Sequence, residues 1–214
     1  MSEAQARRCT DPAAARGARA GETVIVQEKL DGSCVGVVRD GARLLALGRE
    51  GRPCAESGNE ARRWFAAWVA ENERALRELV GPGEALVGEW LALVHGTRYE
   101  LDHAPFVPFD VLCIDPGPRS RLPVAALEAR LAGSALAAPR VVHRGAPLPV
   151  ADAWARLGPA GLHGAIDPPE GLVYRVEKGA DVVLVAKWVR PDKVNGVHLP
   201  ENSGRPALYH YRPT

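Results

Sequence analysis

Polar and hydrophobic residues alternate with a period of two along much of this chain, a pattern typical of strands with one buried face. Such runs are found at residues 23–26, 34–38, 43–47, 85–94, 106–114, 171–176 and 181–189. Asp40-Gly41 and Lys178-Gly179 each lie between two neighbouring runs. Dipeptides of this kind favour tight two-residue turns, because glycine tolerates positive φ without strain. The pattern therefore predicts antiparallel hairpins at both places.

A helical period occurs in residues 60–79, where apolar residues such as Trp64 and Trp68 recur mostly on one face. We predict one amphipathic helix here, packed on the sheet. Residues 123–131 and 150–157 are predicted to form shorter helices between proline-rich loops. Strands outnumber helices and do not alternate with them as in a parallel sheet. The predicted fold class is therefore α+β, with antiparallel sheets flanked by helices.

The length of 214 residues is suited to one catalytic domain. Residues 1–20 are rich in alanine and arginine with little periodicity, which predicts a flexible N-terminal arm or a short helix. Residues 21–190 carry the predicted strands and helices and are assigned to a single domain. Residues 191–214 contain repeated proline and glycine and are predicted to form an extended C-terminal tail with turns.

Composition and charge exclude several classes of protein. Hydrophobic residues make up 46% and charged residues 25% of the chain, as in globular rather than disordered or collagen-like proteins. Lysine and arginine total 27, and aspartate and glutamate total 26, so the net charge is +1. Binding of a polyanion therefore requires a local basic patch, for which the arginines of the arm and those at 119–144 are candidates.

The chain carries no signal for a membrane or for export. No run approaches the ~20 apolar residues of a membrane-spanning helix, and no apolar run follows Arg7 and Arg8 as in a secretory signal. A cytoplasmic location without membrane association is predicted. The four cysteines form no C-x-x-C pair, which argues against a zinc site and a disulfide framework.

Two charged residues fall on the apolar face of a predicted strand. Counting in steps of two places Glu89 on the same face of its strand as Val87. It likewise places Lys187 on the same face of its strand as Val185 and Val189. Burying such a charge is costly unless it is paired or meets a ligand. The two residues are therefore predicted to mark a functional site, with a structural ion pair or an edge strand facing water as the alternatives.

A third feature, Glu28-Lys29-Leu30-Asp31-Gly32, follows the first predicted strand. It places a nucleophilic amine beside a tight turn with exposed backbone amides, an arrangement that suits phosphate chemistry. K-x-D-G alone is a weak motif that also occurs by chance in surface turns. The surrounding motifs decide its interpretation.

Six motifs in chain order resemble those of covalent nucleotidyltransferases, the superfamily of ATP-dependent RNA ligases, DNA ligases and mRNA-capping guanylyltransferases. The likeness covers residues 24–190 and is greatest to the RNA ligase branch. The matching segments are motif I at Glu28-Lys29-Leu30-Asp31-Gly32-Ser33, an arginine at Arg49, motif III at Val87-Gly88-Glu89-Trp90, an aromatic motif at Phe106-Val107-Pro108-Phe109-Asp110-Val111, motif IV at Pro169-Glu170-Gly171-Leu172-Val173, and motif V at Val185-Ala186-Lys187-Trp188-Val189. Each motif is loose, but the order of all six is specific.

The resemblance implies a nucleotidyltransferase core that reacts with ATP. Lys29 would attack the α-phosphorus of ATP, release pyrophosphate and form lysyl–AMP. AMP would then pass to an RNA 5′-phosphate, and a 3′-hydroxyl would displace it to join the strands, as in RNA repair. A lysine is ordinarily protonated at neutral pH, so Lys187 or a divalent metal nearby would favour the neutral amine.

The resemblance also implies roles for other motif residues. Glu28, Asp31 and Gly32 would bind the nucleotide together with the two lysines. Glu89 and Glu170 would hold Mg²⁺ or Mn²⁺ directly or through water, since both ions prefer oxygen ligands. Glu89 would alternatively bind the ribose hydroxyls.

Two further residues are implied to contact the nucleotide. Arg49 would clamp a phosphate or ribose, and Phe109 would stack on adenine. Phe106 competes with Phe109 for the stacking role. The alternatives are a solvated turn arginine for Arg49 and a plain core residue for Phe109.

The chain departs from the family pattern in two respects. Motif V commonly has a second lysine two residues after the first, where this chain has Val189, and Arg190 or Lys193 could supply that charge. About 24 residues follow motif V, so no C-terminal OB-fold is expected, and a partner could supply an RNA-binding domain. An ATP-dependent RNA ligase is the leading hypothesis. The alternatives are a nucleotide- or RNA-binding module on an inactive ligase fold, and a capping-type nucleotidyltransferase with another acceptor.

Overall fold

The computed structural model describes residues 2–11, 21–114 and 120–213, which form two antiparallel sheets. The first sheet consists of β1 (Glu22–Lys29), β7 (Val141–Gly145), β8 (Gly171–Lys178) and β9 (Asp181–Val189), in the order β7-β1-β8-β9. The second sheet consists of β2 (Ser33–Asp40), β3 (Arg43–Gly48), β4 (Glu84–Trp90), β5 (Phe106–Cys113) and β6 (Ser120–Arg121), in the order β3-β2-β4-β5-β6. The predicted α+β class with antiparallel sheets is confirmed.

Helices cover one face of each sheet. They are α1 (Glu3–Thr10), α2 (Glu60–Glu71), α3 (Glu73–Leu79), α4 (Val124–Leu131), α5 (Val150–Leu157) and α6 (Pro200–Ser203). The second sheet is covered by α2, α3 and α4, over a core that includes the rings of Phe65, Trp68, Trp90 and Phe106. The first sheet is covered by α1 and α5. None of the described helices has the length and apolar character needed to cross a bilayer.

Several elements differ from the predictions, among them the two-residue strand β6 and the short helix α6, which were not predicted. The helix predicted at 60–79 is divided at Asn72, whose side-chain amide donates to the Trp68 carbonyl oxygen over 2.8 Å and competes with the helical backbone. The strand predicted at 85–94 ends at Trp90, and the chain beyond it instead pairs with the C-terminal tail at Leu93 and Tyr209. The short strand β7 was not predicted, because its five residues carry no period and depend on pairing with β1.

Residues 3–10 form the short helix that was one alternative for the N-terminal arm. Ser2 and Gln5 form a capping box at its start, and Cys9 is fully buried against the first sheet. Residues 12–20 of the predicted arm lie outside the described residues. Of the four cysteines, Cys9 and Cys54 are buried, and Cys34 and Cys113 are half-buried.

The uncovered faces of the two sheets, named here the inner faces, are directed towards each other. Directly paired residues of antiparallel strands share a face, so Gln27, Val173 and Lys187 lie together on the inner face of the first sheet. Cys34 and Glu89 lie together on the inner face of the second sheet. The space between the inner faces is named the cleft.

A buried arginine joins the two inner faces. Arg175 of β8 donates to Asp110 Oδ1 of β5 over 2.7 Å and to the Phe109 carbonyl oxygen over 2.6 Å. Arg175 Nε donates to Gln27 Oε1 over 3.0 Å, and Arg121 pairs with the other carboxylate oxygen of Asp110. The sequence analysis missed this link, although each charge lies within an apolar strand, the signal that selected Glu89.

Candidate active site

Lys29 ends β1 on the inner face of the first sheet and forms an ion pair with Glu170. The pairing of β1 with β8 explains the contact, because Lys29 lies opposite Gly171, the residue that follows Glu170. Both side chains are largely buried. The structure therefore brings the predicted nucleophile and one predicted acidic residue together, although they are 141 positions apart.

Glu89 is bound to the turn that follows Lys29. Its Oε1 accepts a hydrogen bond from the Gly32 amide over 2.9 Å. Glycine is required at this position, because a Cβ would lie 2.6 Å from the Trp90 carbonyl oxygen. Burial, the largest cause, raises the pKa of Glu89 to about 7, against the opposing effects of Lys29 and the Gly32 amide. A cation bound to Glu89 would therefore favour the ionised form of its carboxyl group at neutral pH.

Asp31 is held from three sides. Its carboxylate forms an ion pair with Lys193 of the C-terminal tail and accepts a hydrogen bond from the Gly96 amide over 2.8 Å. Its backbone N–H donates to the Tyr99 hydroxyl over 3.0 Å. The side chain of Asp31 therefore contacts other parts of the protein, and these contacts fix the turn of motif I.

Lys187 lies on the inner face of β9 and is exposed to solvent. The prediction that it is buried on an apolar face is wrong, because Lys187 is exposed and Val185 on the same face is 38% exposed. The reason is that β9 pairs with β8 alone among the described strands, so Lys187 fits the alternative of an edge strand facing water. No hydrogen bond or ion pair of Lys187 is found within the described ranges, which leaves its ammonium group able to reach a ligand in the cleft.

Neither candidate for the second charge of motif V has a free side chain. Arg190 pairs with Asp192 over 2.6 Å. Lys193 is paired with Asp31 and is almost completely buried. Val189 itself lies in the same row of the first sheet as Lys29, so an apolar side chain stands where the family pattern has a lysine.

The structure separates the two phenylalanines that competed for the stacking role. Phe106 is fully buried, with its ring centroid 5.0 Å from that of Phe65 in the core under α2. Phe109 is half-buried and forms a β-bulge in β5, between the paired residues Pro108 and Asp110. Bulges redirect side chains near functional sites. Of the two rings, Phe106 is therefore a core residue and Phe109 is not fully enclosed by the protein.

Arg49 lies in the exposed turn after β3, at the edge of the second sheet. No hydrogen bond or ion pair of Arg49 is found among the residues that the structure describes. Burial raises the pKa of the Cys34 thiol on the inner face, and the positive charge of Arg49 opposes that shift. Arg49 is thus near enough to the cleft for its charge to act there, but it does not contact Lys29.

Glu28 lies on the helix-covered face of the first sheet, opposite to Lys29. The residue is 1% exposed. Its Oε2 accepts a hydrogen bond from the Leu162 amide over 2.5 Å, and its Oε1 has no partner among the described residues. Burial, the largest cause, raises the pKa of Glu28 to about 7. The structure therefore does not bring this carboxylate to the other predicted nucleotide-binding residues.

Glu28→Gln is expected to remove a pH-dependent loss of stability. Between the ordinary pKa of 4.5 and about 7, only the unfolded chain ionises Glu28, so wild-type stability falls as the pH rises and then levels off. Glutamine cannot ionise and keeps an acceptor for Leu162. The variant should be as stable as wild type near about pH 4.5 and more stable by up to about 3 kcal/mol at about pH 8. Urea unfolding at both pH values measures this, and parallel pH dependence of the two proteins would contradict it.

Glu89 and Glu170 are the carboxylates around Lys29 that suit a divalent cation. Mg²⁺ is usually held by one or two carboxylates together with substrate phosphates and water. Within the described residues, no group of three or more histidine, cysteine, aspartate or glutamate side chains could hold a metal ion by itself. The donor set therefore fits a cation that binds together with a nucleotide.

A loop after β4 holds the segment that carries Glu170. The Arg98 guanidinium donates two hydrogen bonds to Asp167, at 2.8 and 2.7 Å, and Tyr99 pairs with Ala165. These contacts connect the end of the second sheet to the residues that enter β8. The local sequence pattern does not show which distant segment this loop contacts.

The arginines at 119–144 do not form the free basic patch that the sequence suggested. Arg119 lies outside the described residues. The other four pair with carboxylates, namely Arg121 with Asp110, Arg130 with Glu84, Arg140 with Asp102 and Arg144 with Glu128. Their charge is therefore largely neutralised within the protein.

Comparisons with known proteins give one family and one fold. The family model described as RNA ligase matches residues 22–189. A mutant of Naegleria gruberi RNA ligase with ATP and Mn has a TM-score of 0.57 at 22% identity, covering 80% of this chain and 50% of that chain. Another mutant with ATP and Mn has a TM-score of 0.56 at 22% identity, covering 86% and 52%. The same ligase with PPi has a TM-score of 0.54 at 21% identity, covering 86% and 53%.

A search of curated proteins finds no match. The chain spans about half the length of the Naegleria gruberi RNA ligase chains that it matches. At these identities the structural likeness establishes the fold, while the family model covers every motif from Lys29 to Lys187. The chain belongs to the RNA ligase family of the covalent nucleotidyltransferase superfamily.

Proposed function

We propose that this protein is an ATP-dependent RNA ligase. It would transfer AMP from ATP to its own Lys29, pass the AMP to the 5′-phosphate of an RNA, and join that end to a 3′-hydroxyl. The observation that carries the proposal is the position of Lys29 on the inner face of the first sheet, in contact with Glu170 and next to the turn held by Glu89. A nucleophile and two carboxylates from distant parts of the chain meet at one place.

The first step requires a neutral amine at Lys29. Glu170 holds this amine in an ion pair, and a divalent cation or the positive charge of Lys187 nearby would favour its neutral form. Nζ then attacks the α-phosphorus of ATP, and a nitrogen–phosphorus bond forms as the bond to the pyrophosphate oxygen breaks. Lys187, exposed on the same inner face, supplies positive charge for the phosphates in the transition state.

Glu89 and Glu170 would hold the divalent cation, which when bound neutralises phosphate charge and polarises the bond that breaks. The raised pKa of Glu89 is consistent with a carboxyl group that gains its charge together with a cation. Phe109 would stack on the base, and Arg49 would bind a phosphate or the ribose from the edge of the second sheet.

Intact-mass analysis of the purified protein after incubation with ATP and Mg²⁺ or Mn²⁺ tests the proposal. We expect one added AMP, which peptide mapping locates on Lys29. Addition of RNA with a 5′-phosphate and a 3′-hydroxyl should discharge the adduct and yield joined RNA. The absence of an adduct with both metals would overturn the proposal. Competition between ATP and GTP distinguishes an RNA ligase from a capping-type enzyme.

Val189 favours a second candidate, a nucleotide- or RNA-binding module on an inactive ligase fold. An apolar side chain in the row of Lys29 removes a cation that the family pattern places near the phosphates. Such a module would bind ATP without releasing pyrophosphate under either metal. The same incubation, with pyrophosphate measured beside the protein mass, therefore separates the two functions.

A further inference from the structure

We propose that Lys193 is a positioning residue of the active site, which holds the motif I turn through Asp31 and does not bind the nucleotide phosphates. The inference rests on the proposed function, because its effect is measured on the reaction of Lys29. Lys193 lies in the C-terminal tail, beyond motif V, and its Nζ pairs with Asp31 Oδ2.

The burial of the pair argues against a role in phosphate binding. The Lys193 side chain is 2% exposed and that of Asp31 is 11% exposed. Gly96 covers them, since a Cβ there would lie 2.6 Å from Lys193 Nζ and 3.0 Å from Asp31 Oδ2. An ammonium group that binds ATP must be accessible from the cleft, as that of Lys187 is. Lys193 instead fills the interior of a closed contact between the tail and the turn.

The position of Asp31 connects this contact to the nucleophile. Asp31 lies two residues after Lys29 and directly before Gly32, whose amide binds Glu89. Without Lys193, the Asp31 carboxylate would be a buried charge with one remaining amide donor, and such a charge moves towards water. The turn would move with it and shift Lys29 relative to Glu170. A displacement of about 1 Å in a reacting group can cost roughly 10²-fold in rate.

The rest of the tail holds Lys193 in place. The His198 amide donates to the His95 carbonyl oxygen over 2.8 Å, and the Val94 amide donates to the Leu208 carbonyl oxygen over 3.0 Å. Further along, the His210 side chain accepts a hydrogen bond from the Tyr99 amide over 2.9 Å. The tail is thus bound along the loop that follows β4, and Lys193 is the point at which it reaches motif I.

Single-turnover formation of the AMP adduct, measured over a range of ATP concentrations, tests the inference. Lys193→Met should lower the maximal rate by roughly 10²-fold and leave the ATP concentration for half-maximal rate within about threefold of wild type. Lys178→Met, at the exposed turn between β8 and β9, is the matched control and should react as wild type. A phosphate ligand would behave differently, because its loss raises the ATP concentration that is required.

The double variant Asp31→Asn/Lys193→Met keeps the test decisive if Lys193→Met alone does not fold. It leaves no unpaired buried charge, so it should fold at least as well as Asp31→Asn, which leaves the Lys193 ammonium group buried without its carboxylate. If Lys193 acts through Asp31, the double variant and Asp31→Asn should have rates and ATP requirements within about threefold of each other. If the double variant needs a much higher ATP concentration for its half-maximal rate than Asp31→Asn does, the inference is overturned. The inference is also overturned if Lys193→Met forms the adduct as fast as Lys178→Met. If the wild-type protein forms no adduct at all, the proposed function itself is overturned.

Discussion

Lys29→Ala is expected to abolish the AMP adduct, lowering the rate of its formation by at least about 10⁴-fold. No other amine takes its place, because Lys193 is buried against Asp31 and Lys187 lies two strands away on β9. Intact-mass analysis after incubation with ATP and a divalent metal measures the adduct. Lys178→Ala, which removes an exposed lysine at a hairpin turn, should form it at the wild-type rate.

Lys29→Arg separates the chemistry from the structural role of the same side chain. A guanidinium group keeps the ion pair with Glu170 but does not lose its proton, so it cannot attack phosphorus. This variant should retain the thermal stability of wild type and form no adduct. An adduct on either Lys29 variant at a rate near that of the Lys178→Ala control would show that another residue is the nucleophile.

Asp110→Ala is expected to have the largest effect on stability. It leaves the guanidinium of Arg175, which is 3% exposed, without its carboxylate between the two sheets. Removal of one partner of a buried pair costs about 3–5 kcal/mol, and a whole domain is stable by only about 5–15 kcal/mol. The free energy of unfolding in urea measures the change. A fall in soluble yield is a second expected result.

Asp102→Ala is the matched control for this prediction. It also removes an aspartate from an ion pair with an arginine, but both partners, Asp102 and Arg140, are exposed. Exposed pairs contribute little, because water already solvates both charges. The unfolding midpoint of Asp102→Ala should stay close to that of wild type. Equal losses in Asp102→Ala and Asp110→Ala would contradict the importance of burial.

Local patterns could predict which residues belong to strands and which neighbouring strands form hairpins, but not how strands distant in the chain pair. The alternation around Glu89 and the hairpin at Asp40-Gly41 depend on neighbouring residues only, and both are found in the structure, with the turn one residue later at Gly41 and Ala42. The contact between Lys29 and Glu170 depends on the pairing of β1 with β8, which no local period encodes. Only the order of the family motifs indicated that these residues share a site.

The wrong predictions have a common physical cause. The sequence pattern shows which residues share a face of a strand, but not what covers that face. Counting in twos places Lys187 correctly with Val185, but it does not show that the second sheet leaves this face exposed. The same counting fails at Phe109, because a bulge adds one residue to β5 and changes the face of those that follow. Asp31 was selected from motif I, but its partner Lys193 lies in a tail without any period.

The exposed inner face of β9 also affects the solubility of the protein. Among the described strands, β9 has a neighbour on one side only, so its free edge and the exposed Val183 and Val185 could template a strand of another molecule. A lysine on such a strand opposes intermolecular pairing by charge repulsion and by the cost of removing it from water. We therefore expect an apolar substitution of Lys187 to promote association between molecules, because it removes a charge from the exposed part of this edge strand.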